Sequence, residues 1–262
     1  MSKTMPYILI VLWMSYSSIA LADTAVETST PPVEKEVLCG MVTGEFAGVE
    51  RVNLQSNAVD QELCYLVIRP NAKAVKPTGG YPLLILLHGL HGGPGDWMRF
   101  SGIIERMEAA RISKTHPLPP MFVVIPLGKN GYWTNWNGRE QRWRDWVTHE
   151  LLKDIEERFP EVAKVPERRA LAGYSMGGFG SLSIALQYPG LFSLAMAMSP
   201  TDMDLAILGK GQQKVYKRVF GKTLPLKRIH QFNPYHQVLN GSGKGQSFFV
   251  AFGSNEAPKF KE

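Results

Sequence analysis

The chain has 262 residues, enough for one large α/β domain and too few for two ordinary ones once a leader is removed. Hydrophobic residues make up 44% and charged residues 20%, which excludes a disordered chain. The formal charge is +6, but the basic residues are scattered (Arg168 and Arg169, Lys214 to Arg218, Lys227 and Arg228), so the excess describes a solvated surface and not a nucleic-acid footprint.

The N-terminus reads as a targeting segment. Lys3 gives a positive start, Tyr7 to Ala20 is mostly apolar, and Ala20-Leu21-Ala22 offers the small–x–small pattern of a cleavage site before Asp23. Residues 1–22 are therefore expected to be a signal peptide, since the apolar run is shorter than the ~20 residues of a spanning helix. An exported protein follows, periplasmic or secreted, with no stable membrane insertion after leader removal. Residues 23–36 mix Thr, Ser, Pro and Glu as a linker does, which leaves 37–262 for the domain. The two cysteines, Cys39 and Cys64, are expected to be bonded in an oxidising compartment. No C-x-x-C or His-rich spacing is present, and no metal site is predicted.

Two early antiparallel strands are expected, one between Gly44 and Leu54 and one at Cys64–Ile68. Five apolar runs follow: Leu83–Leu87, Met121–Ile125, Ala170–Ala172, Leu191–Met198 and Ser247–Phe252. Each is ended by Gly, Pro or Ser, and helical-period segments lie between most of them. Val147 to Phe159 is the clearest helix, with Val147, Leu151, Leu152, Ile155 and Phe159 on one face. Strands buried on both faces and alternating with helices predict a mostly parallel sheet with helices on both faces. Chemistry is then expected beyond the carboxyl ends of the strands.

Gly173-Tyr174-Ser175-Met176-Gly177 is a G-x-S-x-G pentapeptide directly after one apolar run and directly before a helical segment, Phe179 to Tyr188. That is the context of a nucleophile elbow, in which glycines allow a tight strand-to-helix turn and the serine hydroxyl stands above the sheet edge. The Met176 amide then faces any anion formed on a substrate carbonyl. At the end of an earlier run, His88-Gly89-Leu90 supplies the second oxyanion amide, with Leu90 N–H as the candidate. His88 and His91 are read as structural or rim residues. Tyr132, Trp133 and Trp136 lie on a loop at the same end of the sheet, where they serve either as a wall for the substrate or as packing. Trp143 and Trp146 are expected in the core.

His88-Gly89-Leu90, Gly95-Asp96-Trp97 and Gly173-Tyr174-Ser175-Met176-Gly177-Gly178 together resemble the esterase D-like family of α/β hydrolases, which includes S-formylglutathione hydrolases, feruloyl esterases and antigen 85-type mycolyltransferases. The likeness runs from about Gly44 to Phe252 and is sharp at the two loops. It implies an α/β-hydrolase fold, a Ser–His–acid mechanism and no cofactor. The family's acid follows the last apolar run, where Gly253-Ser254-Asn255-Glu256 points to Glu256, with Asp202 and Asp204 as alternatives. No histidine follows Glu256, and His230 and His236 precede the last run. The fold is thus expected to lack its last strand and helix and the domain to be C-terminally incomplete, the alternative being a base from an unexpected place. The expected function is hydrolysis of a carboxylic ester or thioester, small or in the cell envelope, through an acyl-Ser175 intermediate. An envelope acyltransferase and a non-catalytic ligand-binding protein are the alternatives.

Overall fold

Alternating burial along Val49–Ser56 (β1) and a dense apolar run in Gln61–Ile68 (β2) make an antiparallel hairpin. The computed structural model describes residues 48–99, 101–115, 117–138, 140–201 and 210–253. The remaining strands are Leu83–Leu87 (β3), Phe122–Pro126 (β4), Arg169–Tyr174 (β5), Leu194–Met198 (β6) and Ser247–Ala251 (β7). All side chains of β3 and β4 are buried, which explains why both read as unbroken apolar runs without alternation.

The seven strands form one sheet in the order β1-β2-β4-β3-β5-β6-β7. The β1–β2 and β2–β4 pairs are antiparallel, and all later pairs are parallel. After β3 the chain moves to β4 on one side, then crosses back to β5 on the other. This reversal puts a topological switch point at the carboxyl ends of β3 and β5, where open α/β sheets bind their ligands.

The helices are Gly95–Arg99 (α1), Ile103–Arg111 (α2), Trp143–Asp145 (α3), Leu152–Arg158 (α4), Met176–Gln187 (α5), Lys210–Phe220 (α6), Leu226–Phe232 (α7) and Pro234–Leu239 (α8). A π-helical stretch, Trp146–Leu151, joins α3 to α4 without a break. The expected stripe Val147, Leu151, Leu152, Ile155 and Phe159 is buried, and so are Trp143 and Trp146. The helix begins before Val147 because those two tryptophans also face the core. Glu150 on the π-helical stretch accepts the Asn57 and Ala58 amides at 3.0 and 2.8 Å, fastening the β1–β2 turn to it.

Helix α5 is buried from Met176 through Leu186, as expected of a helix apolar on all sides. It packs on β3, β5 and β6, with α8 against its outer face. Strand β6 is shorter than its apolar run: Leu191 N–H bonds Tyr188 O at 2.9 Å, closing a turn before the sheet is entered. Strand β7 is the edge of the sheet among the described residues, and Phe248, Val250 and the following Phe252 are exposed there. No described helix is long and apolar enough to cross a membrane. Residues 1–36, with the leader and linker readings, and Cys39 lie outside the described residues.

Candidate active site

Strand β5 delivers Ser175 at the switch point. The register sets Gly173 opposite Leu87 of β3 on one side and Ala197 of β6 on the other. A Cβ on Gly173 would lie 2.2 Å from Gly177 O, and one on Gly177 would lie 2.0 Å from Leu87 O. No side chain fits at either position, so the two glycines of the motif are required by backbone proximity. Ser175 between them has φ 52° and ψ −120°, a region that costs about 1–3 kcal/mol and persists only when its surroundings hold it. They do: Ser175 N–H bonds Met198 O at 2.9 Å, and Ser175 O accepts from Phe179 N–H at 3.0 Å and Thr201 N–H at 3.1 Å. The serine is half-buried, and among the described residues its hydroxyl makes no hydrogen bond.

The loop after β3 is braced from several directions. His88 is fully buried. Its Nε2 accepts from Gly128 N–H at 2.9 Å, so the ring proton is on Nδ1, which donates to Gly89 O at 2.7 Å. Burial lowers the His88 pKa from 6.5 to about 4, against a smaller opposing effect of the Gly89 carbonyl. A neutral imidazole with both nitrogens engaged is a strut and not a base. Trp133 Nε1–H donates to His88 O at 3.1 Å, and its ring lies edge-on to the imidazole. Asp96 on α1 accepts from Gly93 N–H and from Tyr174 O–H, each at 3.1 Å, so the residue before the nucleophile is tied to this loop. Asn130 accepts the His91 amide at 2.8 Å. In this braced frame neither the Leu90 nor the Met176 amide donates a hydrogen bond among the described residues.

The aromatic segment is resolved mainly in favour of packing. Trp133 is 1% and Tyr132 2% exposed. The Trp133 ring fills the space beside Gly128 and Gly180, where an added Cβ would come within 2.3 and 2.6 Å of it. Neither side chain therefore offers a face to an incoming ligand, and the wall reading for these two is corrected. Tyr132 packs edge-on against Tyr216 of α6, and burial raises its phenol pKa. Trp136 is only partly buried and donates to Gly131 O at 3.0 Å. Trp146 donates to Leu127 O at 3.1 Å, and Trp143 covers Gly131.

Comparison with known proteins agrees with this geometry. The family model described as "Putative esterase" matches residues 56–253, which include both loops and the whole switch point. The chain belongs to this esterase family. An acetyl esterase of Caldicellulosiruptor saccharolyticus is 25% identical over 187 residues, 66% of this chain and 66% of that protein. An esterase of Mycobacterium tuberculosis is 35% identical over 124 residues, 45% of this chain and 25% of that one. The chain thus matches about two thirds of the first relative's length and a quarter of the second's. Among solved structures, the fluorophosphonate-binding serine hydrolase FphF of Staphylococcus aureus superposes with a TM-score of 0.61 at 20% identity, covering 81% of this chain and 83% of that one. An S-formylglutathione hydrolase of Agrobacterium tumefaciens gives 0.60 at 17%, covering 78% and 85%. These neighbours share the α/β-hydrolase fold.

Glu256, the candidate acid, and its alternatives Asp202 and Asp204 lie outside the described residues. His230 on α7 and His236 on α8 stack on one another with ring centroids 3.7 Å apart. The next residue, Gln237, donates to Ser183 O at 3.5 Å, in the second half of α5. Ser183 is roughly 12 Å along the helix from Ser175 at a rise of ~1.5 Å per residue. The two histidines stand on the helices packed against α5, and no hydrogen bond joins either of them to Ser175 among the described residues.

Proposed function

We propose that the chain is an exported serine esterase that cleaves a carboxylic ester or thioester through an acyl-Ser175 intermediate. The observation that carries this is the strained Ser175 turn at the head of α5, whose hydroxyl makes no hydrogen bond among the described residues; neither do the Leu90 and Met176 amides. Ser175 Oγ attacks the carbonyl carbon, and the two amides receive the oxyanion. Collapse expels the alcohol or thiol with the proton taken from Ser175, and water then releases the acid. The reaction requires a base, and among the described residues no histidine hydrogen-bonds the Ser175 hydroxyl. Short acyl groups are the first substrates to test, because the acetyl esterase shares the longest alignment with this chain among the relatives compared. The Lys3, Tyr7–Ala20 and Ala20-Leu21-Ala22 pattern supports export.

Fluorophosphonate labelling and p-nitrophenyl acetate turnover test the reading together. The wild-type protein is expected to be labelled at Ser175, and Ser175→Ala to lose both label and turnover by orders of magnitude. Its melting temperature should be unchanged, since the turn depends on the glycines and not the hydroxyl. Equal labelling or turnover in the variant removes Ser175 from the chemistry.

A further inference from the structure

A second cleft, of about 550 Å³, opens where the aromatic loop meets the far end of α5, lined by Trp136, Arg144, Gln187, Arg228, Gln231 and Phe232. Arg144 hydrogen-bonds the side chain of Gln187, the last residue of α5. That end is roughly 18 Å from Ser175 at ~1.5 Å per residue, so the cleft is separate from the esterase site.

Two of its charges, Arg144 and Arg228, have no acidic partner among the described residues. Both guanidinium groups lie over the Phe232 ring, Arg144 at 5.0 Å and Arg228 at 5.4 Å from its centroid. They are therefore within about a Debye length (~10 Å) of each other, and salt does not screen them apart. Arg228 donates to Asn135 O at 2.7 Å, but the Nε of each arginine is buried without a hydrogen-bond partner. Neither arginine forms an ion pair among the described residues. The adjacent carboxylate, Asp145, is occupied by Arg142 at 3.5 Å and by the Asn135 side-chain amide at 2.8 Å. Burial, and then the charge of Arg144, lower the Arg228 pKa, although a guanidinium remains charged at any working pH.

Two like charges gathered in a concave site with no acid between them are the arrangement that receives an anion. The exposed Gln231 adds a carboxamide, and the partly buried Trp136 adds flat apolar surface for the body of a ligand. The volume lies in the range of small-molecule sites. We propose that this cleft binds a small organic oxyanion, a carboxylate or phosphate carried on a compact polar ring, with Arg144 and Arg228 as its anchors. The proposal is independent of the esterase reading.

Calorimetric titration of the full chain carrying Ser175→Ala, with inorganic phosphate, glucuronate and glucose at constant ionic strength, tests it without interference from hydrolysis. Saturable binding of phosphate or glucuronate, with none for glucose, is expected, and the tighter of the two identifies the anion class. Trp136 fluorescence should change in parallel. Arg228→Gln should weaken binding roughly tenfold or more, and Arg228→Lys, which keeps the charge but loses the fork, should weaken it less. A cooperative melt of each variant shows that it is folded. If neither anion saturates the folded parent protein, or if sodium chloride competes as well as either, the proposal is overturned. Unchanged affinity in folded Arg228→Gln overturns it equally, and should that variant not fold, the lysine variant and the parent titrations decide.

Discussion

At position 88 the fold holds an imidazole in the form it would abandon in acid. The unfolded chain binds a proton at His88 below about pH 6.5, whereas the folded chain, with a pKa of about 4, does not. Stability from this residue is therefore complete above 6.5 and is lost as pH falls from 6.5 toward 4, by an amount of the order of 3 kcal/mol. The melting temperature should fall across that window, and His88→Asn should flatten the slope; an equal slope in the variant would place its origin elsewhere. Residues differ in how plainly the sequence announces them. Ser175 was legible because a glycine pair with no room for a Cβ brackets it. Leu90 and Met176 were proposed by position alone, since an oxyanion role would use backbone amides and their side chains carry no signal. Trp133 was not, because an indole fills a core and lines a pocket with the same chemistry, and only burial separates the two. The cleft of Arg144 and Arg228 was invisible, because it joins residues distant in the chain through helix packing that no local pattern encodes.

Among the elements, α1 has the most leverage for its size. Asp96 links the Gly93 amide to the Tyr174 hydroxyl, so a five-residue helix ties the loop after β3 to the strand that carries Ser175, the proposed nucleophile. Tyr174→Phe deletes one neutral-to-charged hydrogen bond worth about 1.5–3 kcal/mol at most. If the tie positions the Leu90 amide, kcat should fall several-fold with KM little changed, because the oxyanion forms only during reaction. A loss confined to melting temperature would reduce the contact to packing. The strands were the easiest elements to read, since β3 and β4 are continuous apolar runs ended by His-Gly and Leu-Gly. Helix α2 gave a weaker signal: only Ile103 is fully buried on it, with Ile104 and Met107 partly buried against the core. The π-helical stretch was also hidden, because its widened hydrogen-bond spacing leaves the buried positions close to those of an ordinary helix.

For the molecule as a whole, a Cys39–Cys64 bond is expected in an oxidising compartment. Cys64 is buried on β2, and no free cysteine occurs among the described residues. Closing a loop of that length should stabilise by roughly 3 kcal/mol. Mass spectrometry of the alkylated, unreduced protein from the exporting host tests this: one bonded pair and an N-terminus at Asp23 are expected, and two alkylated thiols refute the bond. At the opposite edge, β7 is held to the sheet by one ladder among the described residues, and it connects to the backbone behind Ser175. Ser199 N–H bonds Ala251 O at 2.7 Å, and Thr201 N–H bonds Ser175 O at 3.1 Å. The outermost strand is thus two hydrogen bonds removed from the strained turn. Local opening of a peripheral strand costs less than global unfolding, so the β7 amides should exchange with deuterated water well before those of β3 and β5. Each such opening loosens the Thr201 contact and lets Ser175 relax out of its strained backbone angle. Fluorophosphonate labelling should then slow in conditions that speed β7 exchange, making the nucleophile's reactivity a gauge of breathing at the margin of the sheet.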